Sequence, residues 1–453
     1  MKKLSVIILS LVLLFGFTTY SYASTDTLGM GNAPGPAATG DNGLDWNPAT
    51  IGIDNKFIME FDLLNASLST NSFGAYEFLD YMGFTVGSDS VLSQSEVEEM
   101  LSKIPNEGFG IDGQAESQFK LIIGPVGIKA GGSGQAVGRL DKDIFQLILK
   151  GNKDFVDVDG DNQPDDYLDL TSSKGSLLAT GKFGAAFNLP LHNYKFFKKY
   201  DRFYEKLYFG TGINYNIGGY YKAAVTEDAK IYFGYSDSSE DDFANPTIRL
   251  AESDTDLAKK INNLSQGEVY PIFKVLSPNS PGSGLSLDLG LFARKDKLSY
   301  GLSLMDLGSI TITDYKLYEY GFTKDESDEI TFTDDVDAKI VTDPYKVRLP
   351  WSFNTGVEYR WKEWLTVGAQ LSRIHIPKGK DEDGEGHFEF GTGAELNPLK
   401  VIPFRVGVIA SGATNSLIIT GGSGLHLGPV KIDLSGRMSQ KKLTAGLNTS
   451  IEF

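Results

Sequence analysis

The chain has no cysteine and only four histidines among its 453 residues. No disulfide framework can form, no lipid can be attached through sulfur, and no thiolate can act as nucleophile or metal ligand. His192, His375, His387 and His426 stand in none of the spacings that hold a catalytic metal or flank a nucleophilic serine. The chain is therefore not expected to be an enzyme, and no cofactor is required. Beyond its first residues it also lacks any run of ~18 apolar residues, the length a membrane-crossing helix needs. Basic residues are in deficit: 42 Lys and Arg against 59 Asp and Glu leave a net charge of −17. Such acidity excludes nucleic acid as a natural partner.

The one long apolar stretch lies at the front. Lys2 and Lys3 precede an apolar run from Leu4 to Phe17, and Ser21 and Ala23 are small residues at the spacing signal peptidase reads. Residues 1–23 are expected to be a cleaved export signal, and losing Lys2 and Lys3 takes the net charge to −19. An exported chain that enters a membrane without apolar helices must satisfy its backbone hydrogen bonds between strands, in a closed barrel.

The residues support that architecture. Glycine is abundant at 51, and 21 Tyr and 28 Phe supply the aromatic girdles of a barrel. Phe57 to Thr70 alternates strictly, with Phe57, Met59, Phe61 and Leu63 on an apolar face and Ile58, Glu60, Asp62 and Leu64 on the other. Further strands are expected from residue 115 onward, among them Lys206–Ile217 and Tyr220–Tyr235, and Leu298–Leu304 and Ile310–Leu317. Arg294–Lys297, Lys362-Glu363 and Gly428-Pro429 read as tight turns. The acidic stretches 233–284, 321–350 and 378–386 read as long outer loops. Two short helices are expected, Ser93–Ile104 with a Ser93/Glu96 capping box, and Asp141–Lys150. The glycine-rich pieces Gly131–Gly134 and Gly421–Gly424 fall on strands and read as bends. The fold class is all-β, a transmembrane antiparallel barrel of about 14 strands (12 to 16, an even number favouring closure). The expected division is a signal at 1–23, an N-terminal hatch at 24–53, and the barrel at 54–453.

The last stretch, Leu443 to Phe453, resembles the closing strand of bacterial outer-membrane barrels. Leu447, Ile451 and Phe453 alternate back from the end as the barrel-assembly machinery reads, with Thr449 interrupting the apolar face. Near the front, Leu28-Gly-Met-Gly31 followed by Asn47-Pro-Ala49 resembles the start of FadL-like outer-membrane proteins. A closer likeness runs through Leu92–Ser95, Ile104–Gly108 and Asp143–Asn152, which resemble an uncharacterised family of FadL-related barrels. That resemblance implies an N-terminal hatch inside a 14-stranded barrel in the bacterial outer membrane. It implies contact with outer-membrane lipid, and uptake of small hydrophobic molecules that leave sideways through the wall beside the hatch. Trp46, Asn47, Pro48, Ala49 and Ile51 would lie along that path, or Asn47-Pro-Ala49 would merely turn the chain. Secretion-associated, PorV-like relatives imply the alternative, a non-transporting scaffold for protein export or display. The oligomeric state is not legible.

One local motif stands apart. Asp157, Asp159, Asp161 and Asp165, with Asp166 beside them, place carboxylates at positions 1, 3, 5 and 9 of a loop, where they can converge on Ca²⁺. Leu168 stands where such loops carry their bidentate acid, and the bland reading is a solvated acidic loop. Any calcium held here is expected to be structural.

Overall fold

The computed structural model describes residues 25–54, 56–72, 94–106, 108–150, 167–200, 202–225, 230–232, 263, 265–327, 330–333, 339–341, 344–376, 385–412, 416–439 and 441–453. Among these, fourteen antiparallel strands close on themselves. They are β1 (Phe57–Thr70), β2 (Phe109–Ile123), β3 (Val126–Leu140), β4 (Lys174–Pro190), β5 (Lys206–Val225), β6 (Gly282–Lys295) and β7 (Leu298–Ile312). The circuit continues with β8 (Trp351–Lys362), β9 (Leu365–Ile376), β10 (Glu385–Leu396), β11 (Phe404–Ser411), β12 (Ser416–Leu427), β13 (Val430–Met438) and β14 (Lys442–Glu452). Each strand pairs with its neighbours in chain order, and β14 pairs with β1 to complete the cylinder.

Alternation explains both surfaces. On β6, Leu285, Leu287 and Leu291 face out, whereas Ser286 and Asp288 between them face in and are buried. On β14, Leu443, Leu447 and Phe453 face out while Thr444, Asn448 and Ser450 are buried in the lumen. Side chains such as Phe183 at 58% and Leu434 at 60% exposure form a continuous apolar band, which water would not tolerate and hydrocarbon favours. Trp361, Trp364, Phe196 and Phe203 ring the short-turn end as an aromatic girdle.

Two expected breaks between strands fall inside continuous strands. Gly218-Gly219 does not turn the chain, so β5 runs unbroken for 20 residues. In β7 the pairing with β6 shifts between Leu304 and Leu307, where Asp306 adopts a φ of 58°. This is a bulge, held by the Asp306 N–H donating to Asp288 Oδ1 at 2.7 Å. The glycine runs behave the opposite way: pairing through Gly131–Gly134 and Gly421–Gly424 is regular, so neither is a bend. The reading of β1 is corrected at one residue. Two residues, Leu63 and Leu64, oppose Ser117 of β2, so Leu64 turns outward and is 50% exposed.

Several elements lie outside the fourteen-strand circuit, among them further strands of the long connections such as Val269–Pro278 and Tyr315–Lys324. Residues 25–54 thread the lumen as a short helix α1 (Thr25–Gly29) and three 3₁₀ turns. At the long-loop end, α2 (Gln94–Lys103) and α3 (Lys142–Lys150) pack together around Val97, Met100, Leu101, Ile104 and Phe145. Their apolar sides meet Leu68, Phe109 and Ile111, which point outward from β1 and β2. The helices therefore sit on the outside of the wall and do not fill the barrel. At the short-turn end, β4 and β5 are joined through α4 (Lys195–Lys198).

Candidate functional site: the lumen and the β1–β5 wall

The five residues singled out near the front are all buried against the inner wall. Asn47 donates from Nδ2 to Pro36 O at 2.7 Å and to Leu291 O of β6 at 2.9 Å, while its Oδ1 accepts from Ala49 N at 3.0 Å. One side chain thus shapes the turn and ties it to the barrel. Pro48 and Ala49 lie against Gly210 of β5, where any Cβ would overlap their backbone. Trp46 packs on Leu28 and donates from Nε1 to Thr27 Oγ1 at 3.1 Å. Ile51 joins Leu44, Ile58, Ile122 and Ala186 in an apolar cluster.

The wall makes room for this segment by omitting side chains. Gly301 faces Pro36 O, Gly290 faces Asn47, Gly391 faces Gly31, and Gly393 and Gly407 face Met30. At each a Cβ would occupy the space of the threaded backbone.

Elsewhere the lumen is ionic. Lys120 of β2 is fully buried and meets Asp62 at 2.7 Å, Glu60 at 3.3 Å and Asp45 of the threaded segment. Lys182 of β4 holds Asp306 at 2.7 Å, and Lys129 of β3 lies 3.5 Å from Asp288 and donates to Leu44 O at 2.7 Å. Across the barrel, Arg405 joins Glu395 at 2.7 Å and Asp433 at 2.5 Å. Apart from Glu60 and Asp62, these groups went unremarked in the sequence. Their signal was the polar half of each alternation, Gln114-Glu116-Gln118-Lys120 on β2 above all.

Beside the β1 bulge the outward side chains of the wall are small. Outside, a groove of about 620 Å³ runs across β1 to β5, between Leu64 on one side and Ile217 and Tyr221 on the other. Its floor is small: Ala115, Ser117, Gly132, Gly134, Ala179 and Gly181. Directly behind, a polar chamber of about 30 Å³ opens on the lumen side, and Glu116 and Gly132–Gly134 line both spaces. Ser117 Oγ donates to Asp62 O at 2.9 Å and pins the bulge.

At the short-turn rim, Asp54 receives both guanidinium nitrogens of Arg294 at 2.8 and 2.9 Å, and Arg360 at 3.3 Å. Thr39 Oγ1 of the threaded segment donates to the same carboxylate at 2.5 Å. Burial opposes ionisation of Asp54, yet its hydrogen bonds from Arg294 and Thr39 and the charges of Arg294 and Arg360 hold the carboxyl well below the usual range. A depressed carboxyl stabilises the fold above its unfolded value, about 4, and loses that contribution as pH falls toward the folded value. Asp54→Asn is expected to lower the unfolding temperature at neutral pH and to flatten its fall below about pH 4. Parallel melting curves from pH 2 to 7 check this.

The remaining predicted residues separate clearly. Asp157, Asp159, Asp161, Asp165 and Asp166 lie outside the described residues. Nearby, the Asp169 carboxylate accepts from Thr171 N at 2.9 Å. Among the described residues no three His, Asp or Glu groups converge as a metal site. Leu447, Ile451 and Phe453 share the outward face of β14. Thr449 keeps its place there by donating from Oγ1 to Lys431 O at 3.1 Å.

A closed cylinder with an apolar outer band, an ionic lumen and a threaded N-terminal segment defines a membrane β-barrel of the FadL-like fold. Similar solved structures include the toluene transporter TbuX of Ralstonia pickettii, 14% identical, with a TM-score of 0.50 over 95% of this chain and 98% of that one. A deletion mutant of the monoaromatic hydrocarbon channel TodX is 12% identical, TM-score 0.51, covering 95% and 99%. The monoaromatic hydrocarbon channel CymD is 10% identical, TM-score 0.50, covering 95% and 97%. No curated protein matches the chain in sequence. The chain belongs to the family of unknown function DUF5723, whose model matches residues 48–380.

Proposed function

We propose that this barrel sits in the bacterial outer membrane and moves small hydrophobic molecules, with residues 24–53 as a hatch and a sideways exit through the β1–β3 wall. The observation that carries the reading is the β1 bulge beside a floor of small residues, with a lipid-facing groove of 620 Å³ over it. That volume lies in the range of small-molecule sites, roughly 300–1,000 Å³. The fold shared with toluene and monoaromatic hydrocarbon channels supports cargo of that class. An apolar molecule gains by entering hydrocarbon directly, since much of the lumen is lined by buried charges. In this conformation the ladder between β2, β3 and β4 is complete, so passage requires the wall or the hatch to move. Leu447, Ile451 and Phe453 are assigned to recognition by the assembly machinery.

One observation favours a second reading, a non-transporting scaffold for secretion or display. The lumen holds the threaded segment and ion pairs where a transporter would have an apolar tunnel. Uptake of labelled toluene and oleate separates the two. Cells making the protein are expected to accumulate label faster than a deletion strain, and removal of Leu64, which straightens β1, is expected to abolish the gain. Equal uptake by all three strains leaves the scaffold.

A further inference from the structure

The ionic lumen is out of balance on one side. Asp45, Glu60 and Asp62 surround Lys120, while Lys129 and Lys182 are each held by an aspartate of their own, Asp288 and Asp306. Glu116 adds another carboxylate, facing the polar chamber behind the glycine wall. Six acids thus share three ammonium groups. Excess buried charge of one sign is costly unless something of opposite sign joins it.

The chamber has the means to hold such a partner. Its volume of about 30 Å³ is that of a water-sized body. Gln114 lines it, is only 3% exposed, and its Oε1 accepts no hydrogen bond. No described residue hydrogen-bonds or ion-pairs with the Glu116 carboxylate beside it. Gln118 spends its Nε2 on Asp45 at 2.8 Å and Asp62 at 3.1 Å, which leaves its Oε1 as an acceptor. Ser133 and Gln135 complete an oxygen-rich lining. The lining also includes two lysines, but both oxygens of Asp306 hold the Lys182 ammonium, at 2.7 and 2.8 Å, and Lys129 donates to Leu44 O at 2.7 Å and faces Asp288 at 3.5 Å.

We propose that this chamber binds a monovalent cation, Na⁺ or K⁺, with Glu116 and Gln114 as its principal oxygen ligands. Hard cations take carboxylate, amide and hydroxyl oxygens. A single carboxylate among neutral oxygens suits a single positive charge, and no set of acids converges here as a divalent ion would need. The bound ion neutralises Glu116 and stiffens β2 against β3 behind the small side chains of the wall.

The test is thermal unfolding of the purified full-length protein in detergent, in NaCl, KCl and choline chloride at one ionic strength. Na⁺ or K⁺ is expected to raise the midpoint by about 2–4 °C over choline, and the gain is expected to vanish in Glu116→Gln and Gln114→Leu. Equal midpoints in the three salts overturn the proposal, as does a gain that survives both substitutions. Should neither variant fold, wild-type crystals soaked in Tl⁺ decide. Density between Glu116 and Gln114 supports the site, and its absence ends it. A midpoint that rises on acidification yet ignores the cation shows a proton on Glu116, and also overturns the proposal.

Discussion

Gly301→Ile is expected to convert a closed barrel into a conducting one. Gly301 of β7 faces the carbonyl of Pro36, and a side chain there would occupy the space of the threaded backbone. The wall cannot yield, because β7 is paired on both sides along its length. The threaded segment can, since it is held by isolated anchors such as Asn47 and Asp54. Overpacking of this kind costs about 1–3 kcal/mol where neighbours can shift, and here the easiest shift is eviction. Once residues 25–54 leave, a barrel of this size encloses an aqueous path. Single-channel recording should show ionic conductance rising by an order of magnitude, with residues 25–54 newly open to protease. A folded variant with wild-type conductance would show that the segment does not close the pore. Gly391→Ile, against Gly31, should act in the same direction.

Lys120→Met is the second large effect. The ammonium is wholly buried among Asp45, Glu60 and Asp62, and removing it leaves three carboxylates facing one another in the lumen. Truncating one partner of a buried ion pair costs about 3–5 kcal/mol, because the remaining charge stays buried without its counterion. The loss should appear as a lower urea midpoint in folding from detergent. Adding Glu60→Gln and Asp62→Asn to Lys120→Met should recover much of it, since the repulsion goes with the charges. Failure of that rescue would mean that packing of the lysine stem matters more than its charge. Asp45 belongs to the threaded segment, so Lys120→Met should also loosen it and raise conductance modestly.

Much of this molecule was legible before its structure. β1 was read to its exact ends, because Phe57 to Thr70 alternates on either side of the Leu63-Leu64 bulge. The hairpin at Gly428-Pro429 and the helices near 94–103 and 142–150 carried local signals of turn and cap. What escaped were features that look identical one residue at a time. Gly218-Gly219 resembles a turn, yet its neighbours on β4 and β6 keep it extended. Leu64 resembles an inward residue until the pairing with β2 shows two residues opposite one. Lys120 and Glu116 look like ordinary polar positions of a half-exposed strand; only closure of the barrel takes them out of water.

The sequence alone determined that the chain crosses a membrane with strands, which face of the closing strand meets lipid, and that no cysteine is present. These follow from local composition and a period of two, which each segment carries by itself. Tertiary structure alone decided what fills the lumen, which acid meets which base, and where small side chains gather on the wall. Those depend on residues far apart in the chain, such as Gly301 against Pro36 or Asn47 against Leu291, and on a register that only pairing with both neighbours can set.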